Sequence, residues 1–212
     1  VDRFLIVRIT TEDGIQGIGE STFWAFPKAA EEIIKGFTPD LLGKDASDID
    51  FIWNYLHRKF SFRGNAISAA ISAIDIALWD IKAKIANMPL YKLLGGFTNK
   101  VDAYIAGGYY EEGKGLDELS EEMRENVSLG AKAVKIKVGA LSINEDIERV
   151  KICREAIGPD VKLMVDANNA YRHYEAIEFA RKAKKYDLFW FEEPVEPDDY
   201  IGQREITRST SI

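Results

Sequence analysis

Hydrophobic residues have two different spacings in the first half of the chain. Residues 4–21 alternate apolar and polar positions in two extended runs around Asp13-Gly14, a dipeptide suited to a tight turn. This pattern predicts a β-hairpin. Over 27–94 the apolar positions instead recur at steps of three and four residues, most clearly over 65–86, and this period predicts helices.

A glycine pair marks the end of this helical region. The segment 88–96, MPLYKLLGG, begins with a proline shortly before the apolar residues and stops at two glycines. We therefore place a domain boundary near 96–100, with an α+β domain over 1–98 and a second domain over 99–212.

Beyond this boundary, apolar strands alternate with amphipathic helices. We predict strands over 101–108, 133–138, 162–169 and 188–195, with helices over 116–129, 143–156 and 174–186. Ser142 and Glu145 have the spacing of a capping box at the start of the second of these helices. Such regular alternation indicates a parallel sheet, either doubly wound or closed as a barrel. The strand-end glycines lack the G-x-G-x-x-G pattern of a dinucleotide-binding turn, so a barrel is favoured.

The strand at 133–138 carries two lysines on one face. Side chains alternate along a strand, so Lys135 and Lys137 lie opposite Val134 and Ile136. We expect the apolar face to meet the helices and the lysines to point into the barrel. Two cations in that position need anionic partners, because an unpaired buried charge is strongly disfavoured.

Carboxylates end the next two strands on the matching faces. Asp166 shares its face with Met164, and Glu192 shares its face with Trp190. In a parallel barrel the C-terminal strand ends meet at one end, where Lys137, Asp166 and Glu192 all fall. Singly, each has an ordinary explanation, as a solvated strand face or a helix cap. Their coincidence at equivalent positions of three successive units favours a functional site.

Composition excludes several classes of partner. Lys and Arg number 28 against 35 Asp and Glu, a net charge of −7, and no basic block is present, which argues against nucleic acid. The apolar run at 66–81 is interrupted by Asp75 and Asp80, so we expect no membrane segment. The single cysteine, Cys153, allows no intrachain disulfide and is expected to be an ordinary packed thiol. With no signal-peptide pattern at the start, we expect a cytoplasmic protein.

Three motifs resemble one family. KIK at 135–137, VDANNAY at 165–171 and FEEPV at 191–195 resemble the mandelate racemase and muconate lactonizing enzyme branch of the enolase superfamily. The hairpin and the segment PLYKLLGG are similar to the N-terminal capping domain of that family. The resemblance implies an α/β fold, in which an α+β capping domain precedes the first four strand–helix units of a modified TIM barrel of the (β/α)7β type.

The resemblance also implies roles for individual residues. In the family the second lysine of K-x-K is an acid/base on one face of the substrate, which points to Lys137, with Lys135 as its electrostatic neighbour. The acids of D-x-N and E-E-P bind Mg²⁺, which points to Asp166 and Glu192, and Asn168 is expected to contact the substrate. Hard oxygen ligands suit Mg²⁺, and a neighbouring cation would lower the pKa of a lysine base.

These roles imply Mg²⁺-dependent abstraction of a proton α to a carboxylate, through an enediolate intermediate. E-E-P favours the mandelate racemase subgroup, and hence an acid-sugar dehydratase acting on a small carboxylate substrate. A racemase, an epimerase or a cycloisomerase is the alternative, and a non-catalytic binding or assembly module is the alternative from another class. We also expect a homo-oligomer. The two histidines, His57 and His173, are expected to be structural.

Two segments of the first domain are candidates for loops that set specificity. They are 20–26, which contains Trp24 and Phe26, and 59–66, which contains Arg63. We expect these three residues to contact the substrate. The aromatic residues could equally pack between the hairpin and the next helix, and Arg63 could cover a helix start.

The positions of the chain ends give a further expectation. Another strand–helix unit after Glu192 would put a third metal ligand at about position 217, beyond Ile212, and Val1 falls inside the capping domain. We therefore expect a fragment that lacks the C-terminal half of the barrel. Such a fragment would not catalyse the reaction by itself, and its exposed sheet edges would favour aggregation or pairing with another chain.

Overall fold

A computed structural model of the protein describes residues 4–21, 26–61 and 64–212. The chain divides into two compact units, Val1–Lys100 and Val101–Ile212. We call them the N-terminal unit and the C-terminal unit, and each is described by itself.

The N-terminal unit opens with the antiparallel hairpin that the alternation predicted. Strands β1 (Leu5–Thr10) and β2 (Gln16–Ser21) pair along their whole length. The turn between them places Gly14 at a φ of 86°, a left-handed conformation that glycine adopts without a Cβ clash. The helices described after the hairpin are α1 (Pro27–Leu41), α2 (Ile49–Arg58), α3 (Asn65–Ile85) and α4 (Leu90–Leu93).

The second hairpin strand packs directly on the backbone of α3. A Cβ atom on Gly17 would lie 2.0 Å from the carbonyl oxygen of Ala77, and one on Gly19 would lie 1.9 Å from the carbonyl oxygen of Ala73. These distances are far below van der Waals contact, so the close approach requires glycine at both positions.

The C-terminal unit, every residue of which the structure describes, is a parallel sheet with helices between its strands. The four strands lie side by side in the order β3 (Ile105–Gly107), β4 (Ala133–Lys137), β5 (Lys162–Asp166) and β6 (Leu188–Glu192). The helices are α5 (Leu116–Ser128), α6 (Ile143–Ile157), α7 (His173–Ala183) and α8 (Tyr200–Ser209). The strands of a parallel barrel lie side by side in sequence order, whereas the strand order of a doubly wound sheet reverses at one point. The predicted fold class, a capping domain followed by four strand–helix units of a modified TIM barrel, is confirmed.

Several predicted bounds differ from the structure, and β4, β5 and β6 end at Lys137, Asp166 and Glu192, before the predicted 138, 169 and 195. The first strand was expected over 101–108, whereas only Ile105–Gly107 pairs with β4. The residues before it are exposed, so they have no buried face to hold them in the sheet. Helix α7 ends at Ala183 because Lys184–Tyr186 tighten into a 3-10 turn.

The core of the C-terminal unit lies between the sheet and the helices. Its centre contains Val134, Ile136, Leu163 and Val165 from β4 and β5, all without exposed surface. Residues from α5, α6 and α7 cover them, among them Phe179. Among the helices of the described ranges, none has the length and apolar character needed to cross a membrane.

Candidate active site

The two lysines of β4 lie on the face of the sheet opposite the helices. Val134 and Ile136 pack in the core, so Lys135 and Lys137 point the other way, as the alternation predicted. Lys135 is only 8% exposed, and Lys137 is half-buried. Ammonium groups in this position need anionic partners, and both have them.

Lys135 pairs with carboxylates from both following strands. Its Nζ lies 2.9 Å from Oε2 of Glu192 and 3.2 Å from Oδ2 of Asp166. The ring of Tyr104, with its centroid 5.2 Å from Nζ, adds a cation–π contact. A single cationic centre therefore lies within 3.2 Å of one oxygen from each carboxylate.

Lys137 contacts the acid of β5 and the amide that follows it. Its Nζ lies 2.7 Å from Oδ2 of Asp166 and donates a hydrogen bond to Oδ1 of Asn168 at 2.6 Å. The Nδ2 of Asn168 donates in turn to Oε2 of Glu193 at 3.1 Å. The structure thus brings Lys135, Lys137, Asp166, Asn168 and Glu192 into one connected cluster.

The register of the parallel strands explains this convergence. Lys137 lies opposite Asp166, and Asp166 lies opposite Glu192. Pairing continues past the strand ends, where the N–H of Ala167 donates to the carbonyl oxygen of Glu192 at 3.0 Å. Groups at equivalent positions of three neighbouring strands therefore share one end of the sheet.

The backbone turns sharply beside the two acids. Asn168, Asn169 and Glu193 adopt left-handed φ values of 45°, 66° and 44°. Asparagine tolerates this region better than other non-glycine residues, whereas a glutamate there is strained. A hydrogen bond of 2.8 Å from the N–H of Asn169 to the carbonyl oxygen of Glu193 joins the two turns. The turn also ends β5 at Asp166, before the predicted end at residue 169.

The charges of the cluster stabilise one another. Burial disfavours ionisation of Asp166, but hydrogen bonds from Lys137, the N–H of Asn168 and Lys135 outweigh it and lower the pKa of the carboxyl group. Burial likewise disfavours a charged Lys135, but its bonds to Glu192 and Asp166 outweigh this and raise its pKa. Asp166 and Lys135 are therefore both ionised at neutral pH.

Asp166 and Glu192 form a donor set that fits Mg²⁺. Both are carboxylates, the hard oxygen ligands that Mg²⁺ prefers, and both already face the common cationic centre of Lys135. Within the described residues, no three His, Cys, Asp or Glu side chains are grouped so that they could hold a metal ion. Two carboxylates remain compatible with Mg²⁺, because this ion keeps several water ligands and is often held by one or two carboxylates.

Sequence reasoning missed three residues around this cluster. Tyr104 and Tyr109 lie over Lys135 and Lys137, with the ring centroid of Tyr109 5.9 Å from Nζ of Lys137. Asp146, on α6, has no exposed surface, and its sequence position in the first turn of a helix indicated only a capping charge. The two tyrosines lie just before and just after the segment 105–108, which ends in the pair Gly107-Gly108. This position beside a strand end was the sequence feature that could have indicated a place near the site.

The predicted substrate contacts of the N-terminal unit stay predictions. Trp24 and Arg63 lie outside the described residues. Phe26 immediately precedes α1 and is 68% exposed.

Both histidines contact neighbouring side chains, and the cysteine packs in the core. His57 stacks on Trp53 with ring centroids 4.4 Å apart, and Nε2 of His173 lies 3.5 Å from Oε2 of Glu205. Cys153 is fully buried in the core, and this burial raises the pKa of its thiol to about 12, which makes it a poor nucleophile.

Comparison with known proteins gives the family of this chain. Residues 118–212 match the family model described as "Enolase C-terminal domain-like", and residues 1–95 match that of "Mandelate racemase / muconate lactonizing enzyme, N-terminal domain". The parallel strands with their paired lysines and carboxylates define a protein of the enolase superfamily. Within it, the chain belongs to the mandelate racemase / muconate lactonizing enzyme family.

Its relatives include dehydratases and cycloisomerases of sugar acids. The chain is 46% identical to an arabinonate dehydratase of Saccharolobus solfataricus over 194 residues, which is 90% of this chain and 52% of the relative. A crystal structure of a 3,6-anhydro-D-galactonate cycloisomerase from Zobellia galactanivorans has a TM-score of 0.90 and 44% identity, and the match covers 99% of this chain and 58% of that one.

A third relative was solved with magnesium. The L-talarate/galactarate dehydratase of Salmonella typhimurium LT2, liganded with Mg and L-lyxarohydroxamate, has a TM-score of 0.89 and 35% identity, covering 98% of this chain and 54% of that chain. The chain thus spans about half the length of the relatives that it matches.

Proposed function

We propose that the protein of which this chain is part is a Mg²⁺-dependent acid-sugar dehydratase of the mandelate racemase subgroup. The observation that carries the proposal is the position of Lys137, whose Nζ contacts Asp166 and Asn168 at the carboxyl ends of the strands. The similarity to an arabinonate dehydratase supports a sugar acid as the substrate class.

Lys137 is the proposed base. Its Nζ is held by hydrogen bonds at 2.7 and 2.6 Å, so its position is fixed before a substrate arrives. The unprotonated amine would take the proton from the carbon α to the substrate carboxylate. Lys135, ion-paired with both acids, supplies fixed positive charge beside the substrate carboxylate and the enediolate that forms.

Asp166 and Glu192 are the proposed Mg²⁺ ligands of this chain. When bound there, the metal supplies positive charge that stabilises the enediolate. Asn168 is the proposed substrate contact in the C-terminal unit, because its side chain already contacts the proposed base. Trp24, Phe26 and Arg63 remain the proposed specificity residues of the N-terminal unit.

The wider assignments belong to the same proposal. We propose a capping domain over 1–98 and barrel units over 99–212, a homo-oligomeric assembly and a cytoplasmic location. The net charge of −7 supports a small-molecule substrate rather than nucleic acid.

The proposal is tested by α-proton exchange in deuterated solvent. The intact protein, supplied with Mg²⁺, is screened against aldonic, aldaric and hydroxy acids and dipeptides, and exchange is followed by mass spectrometry. We expect exchange with sugar acids and release of a 2-keto-3-deoxy product. Lys137→Met should lower the exchange rate by about 10²–10⁴-fold.

A lysine at the other end of the neighbouring strand is the matched control. Lys162 is exposed at the start of β5, with its Nζ 4.2 Å from the ring centroid of Phe189, so Lys162→Met should leave exchange unchanged. Ring closure or epimerisation without loss of water would favour the cycloisomerase or racemase alternative. Weak Mg²⁺ binding and no exchange with any acid would favour a non-catalytic module.

A further inference from the structure

A buried carboxylate on α6 holds the three loops that follow β3, β4 and β5. Asp146 has no exposed surface. It accepts hydrogen bonds from the hydroxyl of Tyr110 at 2.5 Å, the N–H of Gly139 at 2.7 Å and the hydroxyl of Tyr171 at 3.1 Å. Tyr110 follows β3, Gly139 follows β4 and Tyr171 follows β5. One side chain therefore connects the segments in which three neighbouring strands end.

These anchors lie close in sequence to the residues of the site. Gly139 is two residues after Lys137, and Tyr171 is three residues after Asn168. A movement of either anchor would therefore move a side chain of the cluster. The distance of 2.6 Å between Nζ of Lys137 and Oδ1 of Asn168 depends on the loops after β4 and β5.

A second charge from the same turn of α6 reinforces the first loop. The guanidinium of Arg149 is buried, donates a hydrogen bond to the carbonyl oxygen of Gly108 at 2.6 Å, and lies 4.2 Å from the ring centroid of Tyr110. Tyr109, between these two residues, is the tyrosine that lies over Lys137. Asp146 and Arg149 thus fix the segment that carries this tyrosine.

Two glycines show how closely these loops pack. At Gly139, with φ of 99°, an added Cβ would lie 2.6 Å from Cβ of Ala170. At Gly108, with φ of 60°, it would lie 2.7 Å from Cβ of Ile136. The loops are therefore closely packed at both glycines, and Asp146 bonds to them from the helical side.

We propose that Asp146 is a positioning residue, which sets the location of Lys137 relative to Asp166 and Asn168 by fixing the end of β4. It acts through the backbone of Gly139 and is separated from the reacting atoms. This inference rests on the proposed function, since it concerns proton transfer by Lys137. A misplacement of about 1 Å in a reacting group can lower a rate about 10²-fold, so a modest shift of the loop is sufficient.

The first test measures the loops without using activity. Asp146→Asn keeps the size of the side chain but replaces one acceptor oxygen by an N–H donor, so the three donors can no longer all be satisfied. Hydrogen–deuterium exchange of the intact protein should rise about tenfold in the segments 108–111, 137–142 and 168–172, with little change in β6.

The second test measures the reaction. Asp146→Asn should lower kcat and α-proton exchange by about 10–100-fold, while KM and the Kd of Mg²⁺ change less than about threefold. Tyr171→Phe removes one donor and leaves the fold intact, and it should give a smaller fall of the same kind. It keeps the test decisive if Asp146→Asn folds poorly.

Val150→Ala is the matched control on the same helix. Val150 is fully buried in the core, and its apolar side chain makes none of these hydrogen bonds, so its truncation should lower stability alone. It should lower Tm without changing kcat for the folded protein. Equal losses of kcat in Val150→Ala and Asp146→Asn at matched Tm would overturn the inference.

The remaining outcomes separate this inference from the proposed function. An active wild type with unchanged kcat and unchanged loop exchange in both Asp146→Asn and Tyr171→Phe overturns the inference alone. A wild type that exchanges no α-proton with any sugar acid overturns the proposed function, and the role of Asp146 in proton transfer with it.

Discussion

Asp166 is the residue on which the charges of the site converge. Its Oδ2 accepts from both Lys135 and Lys137, and its Oδ1 accepts from the N–H of Asn168 at 3.0 Å. The side chain is almost fully buried, so each of these bonds forms away from bulk water. Replacement of Asp166 by asparagine leaves the ammonium groups of Lys135 and Lys137 facing a neutral amide.

Asp166→Asn should therefore destabilise the protein by about 2–3 kcal/mol at neutral pH. Because the pKa of Asp166 is lowered in the folded state, its contribution is present above the unfolded value of about 3.9 and is lost as the pH falls through the folded value. The difference in the free energy of unfolding between wild type and Asp166→Asn should be constant from about pH 5 to 7 and should shrink below about pH 4. Urea denaturation at a series of pH values measures it.

An exposed acid just before the same strand provides the control. Asp160 lies in the loop that leads to β5, and Asp160→Asn should change stability by less than about 0.5 kcal/mol. A difference for Asp166→Asn that stays constant down to pH 2 would contradict the lowered pKa.

At the scale of elements, the contact between β2 and α3 depends on the absence of side chains. Gly19 lies so close to the carbonyl oxygen of Ala73 that a Cβ atom would force the strand away from the helix. Gly19→Ala should lower the free energy of unfolding by about 2–3 kcal/mol, measured by urea denaturation.

Gly36 in α1 is the matched control. A Cβ atom on Gly36 would meet nothing within 4 Å, so Gly36→Ala should stabilise the protein by about 0.5–1 kcal/mol through helix propensity. Opposite signs for the two substitutions are expected, and a neutral Gly19→Ala would show that β2 can move away from α3 without loss.

The start of α6 gives a prediction of smaller size. The hydroxyl of Ser142 accepts from the N–H of Glu145 at 3.4 Å, and Oε2 of Glu145 accepts from the N–H of Ser142 at 3.0 Å, which is the predicted capping box. Ser142→Ala should lower the free energy of unfolding by about 1 kcal/mol, since one N–H at the helix start loses its acceptor. Ser128, at the last turn of α5, offers a control: Ser128→Ala should be near neutral by the same urea assay.

Across the whole molecule, the alternation of side chains along strands predicted the residues of the cluster better than the residues around it. Alternation with period two placed Lys135, Lys137, Asp166 and Glu192 on one face, because parity along a strand holds whatever the strand contacts. It could not predict Asp146, because three donors from three separate loops meet at that carboxylate only after the helix packs.

The strand ends were predicted less well for a related reason. Asn168 continues the alternation of β5 on the face of Asp166, but left-handed φ values at Asn168 and Asn169 turn the chain away there. That turn depends on a bond to the carbonyl oxygen of Glu193 in the next unit. At 101–104 the pattern predicted a strand, yet these residues are exposed and do not pair with β4.

Removal of the proposed Mg²⁺ should leave the molecule folded. Lys135 and Lys137 already neutralise Asp166 and Glu192, so these carboxylates do not repel one another when no divalent cation is present. At a Mg²⁺ concentration of about 100 times Kd, binding contributes about 2.7 kcal/mol. EDTA should therefore lower Tm by only about 5–10 °C, with far-UV circular dichroism unchanged at 25 °C. Loss of the helical signal on chelation would contradict this expectation.

The same pairing has a consequence for the order in which ligands bind. Before Lys137 gives up its proton to act as the base, two lysines and two carboxylates balance, so the cluster has no net charge of its own, and the chain around it has a net charge of −7. A sugar-acid anion meets little attraction there until a divalent cation adds two positive charges. Mg²⁺ should therefore bind first and the anion second, and by linkage each should tighten the other by the same factor. Calorimetric titration of an unreactive sugar-acid analogue, with and without Mg²⁺, should show an ordered pair in place of two independent ligands.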